Sequence, residues 1–182
     1  MSDIYVMIYA LPLPLTLIYL AGAFFAWEAV CRRGRELSHR KQIWCRLLCA
    51  LALLFWLAGI LCITVLTRQS GTLEVHRMPF HQLKEYFRGG PKELIRTLWM
   101  NVLLFVPGGL LLDAQLPRRC PCWLRAALTV LMLAVLSVGI ETMQYQYALG
   151  TVEADDVLCN TLGALIGVSI HEWSRHQIRK HT

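Results

Sequence analysis

The chain has 182 residues, 56% of them hydrophobic, and a formal net charge of +6. Several apolar runs of membrane length fill it, which leaves no room for a separate soluble domain. Its basic residues fall between those runs, without a basic face or an aromatic-basic module, so the charge is a topology signal and nucleic acid is excluded as a partner.

Residues 4–27 carry no charge and follow Asp3 rather than a basic stretch, so a retained first span is expected there, not a signal peptide. Pro12 and Pro14 kink its outer half, which neighbouring helices tolerate. Arg32, Arg33, Arg35, Arg40, Lys41 and Arg46 then form a basic loop, and a second span covers about 44–66. The longest polar stretch is 67–93. Its centre, PFHQLKEYFRGG, sets Phe80, Leu83 and Phe87 at amphipathic spacing before a Gly-Gly-Pro breaker, which predicts a short helix lying on the membrane surface.

The third span, about 94–112, carries Thr97, Asn101, Phe105 and Gly108 along one stripe. Pro107 removes a backbone donor and frees the carbonyl one turn earlier, near Leu103. A second basic loop holds Arg118, Arg119 and Arg125, with Cys120 and Cys122 as a close pair that lacks the further pair or histidine of a zinc motif. The cysteine count is odd, and Cys49, Cys62 and Cys159 fall in apolar segments, where they serve as small hydrophobes. Spans four and five cover about 124–147 and 157–173, and the tail carries Arg175, Arg179 and Lys180.

The fold class expected is all-α: a polytopic membrane bundle of about five helices plus the interfacial one. It divides into two spans with their basic loop (1–73), three further spans (74–173) and a basic tail (174–182). Twelve lysines and arginines lie in the two basic loops and the tail, against six in the long loop on the other side. Trp27, Trp44, Trp123 and Trp173 fall at one boundary, as an interfacial belt does. The basic side is therefore expected to be cytoplasmic, with the N-terminus outside and the C-terminus inside.

A carboxylate near mid-bilayer costs at least ~2.5 kcal/mol, so polar residues inside spans face protein or a water-filled cavity. Glu141 and Gln144 share one helix face with Ser137, and Asp156, Asn160, Gly163 and Gly167 share another. Asn101 lies roughly 10 Å below the outer end of its span at 1.5 Å per residue. Three helices thus bring polar groups to one half of the membrane, and Asn101, Glu141 and Asn160 are expected to form one hydrogen-bonded cluster.

These residues carry a family likeness. NVLLFVPGGLLL (Asn101 to Leu112), the pair Glu141 and Gln144, and DDVLCNTLGALIG (Asp155 to Gly167) resemble the VanZ-like family of bacterial membrane proteins over about residues 74–170. HRMPF, from His76 to Phe80, is similar to a segment preceding the third span in that family, with His76 where asparagine is usual. The resemblance carries over Asn101, Phe105, Pro107, Gly108, Glu141, Gln144, Asp156, Asn160, Gly163 and Gly167. It implies a small multi-span protein of the bacterial cytoplasmic membrane and cell envelope, in a family whose founding member is linked to low-level resistance to the glycopeptide teicoplanin. Many members have an arginine in the turn before the aspartates. GTVEADD has none, so its role is either lost here or taken by Arg77, Arg88 or Arg96.

Glu141 is the candidate catalytic residue, as general acid or base, with a structural carboxyl as the plainer alternative. Asn101, Gln144, Asp155, Asp156 and Asn160 are the candidate binding cluster. Asp155 and Asp156, with Glu153 and Glu141, offer hard oxygen ligands to a divalent cation, but Asp156 as the cap of its own helix is preferred, and no metal or cofactor is assigned. Gly163 and Gly167 form a small-xxx-small face that lets the fifth helix approach another closely, and Phe105, Pro107 and Gly108 are further candidate helix-packing residues. The partners expected are the lipid bilayer and, at the outer face, a lipid or cell-wall precursor. An envelope factor, a membrane enzyme on a lipid-linked substrate and a non-catalytic scaffold all remain open. No nucleophile elbow, Walker loop or zinc motif fixes a reaction.

Overall fold

The computed structural model describes residues 39–66, 68, 71, 73–76, 78–117 and 119–180. The expected first span at 4–27 and Arg77 lie outside the described residues.

Helix α1 (His39–Leu61) runs into a π-helical turn at Cys62–Leu66. Strand β1 (Glu74–His76) and the short helix α2 (His81–Phe87) follow, then α3 (Glu93–Gln115) and α4 (Cys122–Gln146). Strand β2 (Thr151–Glu153) leads directly into α5 (Ala154–Lys180). The wholly helical expectation needs one correction. β1 and β2 pair in parallel, with Glu74 opposite Thr151, Val75 opposite Val152 and His76 opposite Glu153. Two loops too short and polar to look like strands pair because the helices bring them side by side.

Three described helices are long and apolar enough to cross a membrane: Gln42–Leu66, Glu93–Gln115 and Cys122–Gln146. α5 has 27 residues, but both its ends are polar and it falls outside that class. Burial is inverted relative to a water-soluble domain. Leu48, Phe55, Leu131, Val135 and Leu165 are exposed, while Asp113, Arg125, Thr129, Ser137 and Gln144 are almost completely buried. An apolar exterior around a polar interior is the pattern of a membrane protein, because lipid solvates the outer side chains while protein or enclosed water satisfies the inner ones.

α5 packs along α3 at backbone distance. A methyl group at Gly163 would collide with the Val102 carbonyl, one at Gly167 with the Val106 carbonyl, and one at Gly109 of α3 with Ala164. Glycine is required here for approach. On the other side of α3, the stripe Cys49, Ala52, Trp56 and Ile60 of α1 is buried. The Trp56 ring lies over Gly108, meets Phe105 edge-on with centroids 5.8 Å apart, and donates its indole N–H to the Leu104 carbonyl at 2.9 Å. That carbonyl is one residue beyond the one Pro107 was expected to free, because the bare Gly108 surface sets where the ring can reach.

Candidate functional site

Two buried polar clusters lie at the two ends of α5. Asp156 and His171 stand fifteen residues apart, about 22 Å along a helix.

At the N-terminal end, the turn after α4 sets the geometry. Leu149 N donates to the Gln144 carbonyl at 2.9 Å, Ala148 sits in the left-handed region at φ 50°, and Gly150 at φ 99° turns the chain into β2. This brings Glu153 N to 3.1 Å from Glu141 Oε2, so Glu141 ties the end of α4 to β2. Gln144 Nε2 donates to the Thr64 carbonyl at 2.9 Å, inside the π-helical turn of α1. Asn160 Nδ2 donates to Ser137 Oγ at 2.8 Å. Asn101, of α3, approaches Asp156, yet neither Asn101 Nδ2 nor Asp156 Oδ1 has a hydrogen-bond partner. Asn101, Glu141 and Asn160 therefore occupy one region, but each turns to a different neighbour instead of bonding to the other two. Helix spacing determines which face a side chain is on, while the partner depends on loops that spacing does not describe.

Both carboxylate oxygens of Asp155 are engaged by backbone N–H groups. Its Oδ2 accepts from Gln82 N at 2.8 Å and its Oδ1 from Phe80 N, so it caps α2, whose own N-cap residue Phe80 is left-handed at φ 63° and offers no side-chain oxygen. A carboxylate at a helix N-terminus satisfies orphan donors and complements the dipole. α2 itself turns Gln82 inward and leaves Phe80 and Phe87 exposed. His76 stacks on His81, ring centroids 4.2 Å apart, on the strand opposite Glu153.

Among the described residues, the arginine at this turn is Arg68, which is not one of the expected substitutes; Arg77 lies outside them. Arg88 pairs with Glu85 at 3.4 Å, and Arg96 is exposed. Arg68 reaches the turn instead: its Nη1 donates to the Leu149 carbonyl at 3.4 Å and lies beside Gly150. Its charge acts on Glu141, Glu153 and Asp156. Burial pushes the Glu153 carboxyl above its ordinary range, opposed by His76 and Arg68 and reinforced by Asp155 and Glu74.

Among the described residues, six of the seven buried side-chain polar atoms without a hydrogen-bond partner lie at this end: Gln82 Oε1, Asn101 Nδ2, Gln144 Oε1, Glu153 Oε2, Asp156 Oδ1 and Asn160 Oδ1; the seventh, Arg125 Nη2, lies at the other end, where it forms an ion pair with Glu172. Each unmade bond at a buried group costs about 1–3 kcal/mol. Such atoms mark where water or a ligand would complete the hydrogen bonding.

The C-terminal end of α5 holds a network that sequence reading missed. Asp113 Oδ1 accepts from Arg125 Nε at 3.1 Å and from Thr129 Oγ1 at 3.5 Å, and its Oδ2 meets His171 Nδ1 at 2.5 Å. Arg125 Nη2 forms an ion pair with Glu172, which also pairs with Arg175 at 3.1 Å. Asp113, His171 and Glu172 bring ligand atoms within 4.8 Å of one another, but the Arg125 guanidinium already supplies the cation between two of them. The signal that would have found it is periodic. Arg125, Thr129, Leu133, Ser137 and Glu141 recur every four residues as a buried stripe of α4 that winds slowly around the helix and is polar except at Leu133.

The VanZ/LLP1 family model matches residues 44–175. Protein VanZ of Enterococcus faecium is 28% identical over 91 residues, covering 47% of this chain and 50% of that protein. The chain thus spans about half the length of the curated relative it matches. No solved structure matches it.

Proposed function

The chain belongs to the VanZ/LLP1 family, and from that premise we propose that it is an envelope factor of the bacterial cytoplasmic membrane that changes susceptibility to glycopeptides, teicoplanin among them. The working part in this reading is the polar cluster at the N-terminal end of α5, which binds a lipid or wall precursor. Residues 4–27 and α5 complete five spans with the three apolar helices, the N-terminus lies outside, and the basic loops are cytoplasmic. The cluster then opens to the face where glycopeptides act, and α2 rests at the membrane surface with Phe80 and Phe87 in the interface.

The observation that carries this reading is the concentration of buried, unpartnered polar atoms from α2, α3, α4, β2 and α5 in one place. Binding is the preferred reading because the free atoms of the cluster are mostly acceptors, while Glu141 accepts from Glu153 N through one of its two oxygens.

Expression in a susceptible strain with teicoplanin challenge tests it. Glu141→Gln preserves shape and accepting capacity and is expected to retain most of the tolerance; its loss with normal insertion would favour catalysis by the carboxyl. Gly163→Leu drives a side chain into the Val102 carbonyl and is expected to abolish assembly and tolerance together. Full tolerance in Gly163→Leu and in Asn160→Ala would remove the cluster from the mechanism.

A further inference from the structure

The unpartnered atoms at the N-terminal end of α5 are unequal in kind. Gln82 Oε1, Gln144 Oε1, Glu153 Oε2, Asp156 Oδ1 and Asn160 Oδ1 are acceptors, and Asn101 Nδ2 is a donor. Gln82, Gln144, Asp156 and Asn160 are each more than nine-tenths buried. The oxygen assignment at Gln144 is fixed by its neighbour. A carbonyl cannot donate, so the atom facing Thr64 O is Nε2, and the atom left free is Oε1.

The charge runs the same way. Glu141, Glu153 and Asp156 stand against Arg68, whose Nη1 is held by the Leu149 carbonyl. Asp155 is spent on the α2 cap. What would complete this site is positively charged and rich in N–H or O–H donors. A neutral polyol can donate O–H bonds but brings no compensation for the charge.

We propose that the cluster receives a primary ammonium group, a compact unit charge with three donors and no acceptor. Asp156 and Glu153 face its charge, the Gln144 and Asn160 oxygens take its N–H bonds, and Asn101 Nδ2 is left to donate to an oxygen neighbouring the amine. This rests on the reading of the cluster as the working site, and it adds the ligand class. An aminated lipid headgroup and a soluble amine share the chemistry.

The test uses the full chain in phosphatidylcholine nanodiscs and follows its thermal unfolding midpoint, which a ligand of the folded state raises. Free ethanolamine is titrated against choline, which has the same charge and no N–H donor. In a second arm, phosphatidylethanolamine replaces part of the phosphatidylcholine. A rise with ethanolamine but not choline assigns a soluble amine; a rise with phosphatidylethanolamine alone assigns a lipid headgroup; both support the site. Asp156→Asn is expected to weaken the response roughly tenfold or more, as does Gln144→Met should the first variant fail to fold. Thr129→Val, at the other end of α5, leaves it unchanged.

Equal responses to ethanolamine and choline, a response to magnesium chloride in place of the amine, no response in either arm, or an undiminished response in both variants would overturn the proposal. Teicoplanin susceptibility of the same variants separates the two readings. Amine binding with no effect on susceptibility sinks the envelope-factor role and leaves the ammonium site standing. A susceptibility effect that tracks the cluster without amine binding sinks the ammonium site alone.

Discussion

At the C-terminal end of α5, both oxygens of Asp113 are engaged and Arg125 bridges two acids. At the N-terminal end, buried carboxylates and amides of similar chemistry keep free atoms. The same helix, packed on the same neighbours, completes one cluster and leaves the other open. Because completing a polar network is what makes it tolerable in an apolar surround, the paired end reads as a staple and the unpaired end as a site.

The sharpest way to break that comparison is to remove one charge at each end. Arg125→Met leaves Asp113 and Glu172 without their cation and is expected to lower stability in detergent micelles by about 3–5 kcal/mol. Asp156→Asn removes a charge that the protein does not fully partner and is expected to unfold within about 1 kcal/mol of the native chain, while the susceptibility effect falls. Equal damage from the two substitutions would erase the distinction between staple and site.

A smaller effect separates Asp155 from its neighbour Asp156. Asp155→Ala removes the α2 cap and should cost about 1 kcal/mol, seen as faster amide hydrogen exchange at Phe80 and Gln82 while α3 and α5 stay protected. Unchanged exchange there would mean that α2 is held by something else.

Strain also collects at the open end, where Phe80 and Ala148 are both left-handed without being glycine. Ala148→Gly is expected to stabilise the chain by about 1 kcal/mol, measured as a higher unfolding midpoint, unless the turn relaxes elsewhere.

The least effect is that of pH. Burial holds the Glu153 carboxyl above its ordinary range, so folding favours its protonated form. Its contribution is complete below the unfolded glutamate value near ~4.3 and is lost as pH rises through the raised one. Glu153→Gln should flatten that fall and leave the protein slightly more stable at neutral pH. An unchanged pH profile would assign the dependence to another group.

Periodicity in the sequence was enough to place the apolar helices over 44–66, 94–112 and 124–147, the short helix after Pro79, and the glycine face of α5, because each depends on side chains a few residues apart on one element. It also put Glu141 with Gln144 and Asp156 with Asn160. The tertiary structure alone decided what those residues touch. β1 meets β2, Asp155 caps α2 across seventy-three residues to Gln82, and Arg68 reaches the turn that lacks an arginine of its own. Asp113 and Arg125 looked like the edges of a basic loop until α5 brought His171 and Glu172 against them. Helical spacing determines which face a side chain shares, but partners distant in sequence are chosen by how the helices pack, and the backbone contact of Gly163 and Gly167 with α3 sets that packing.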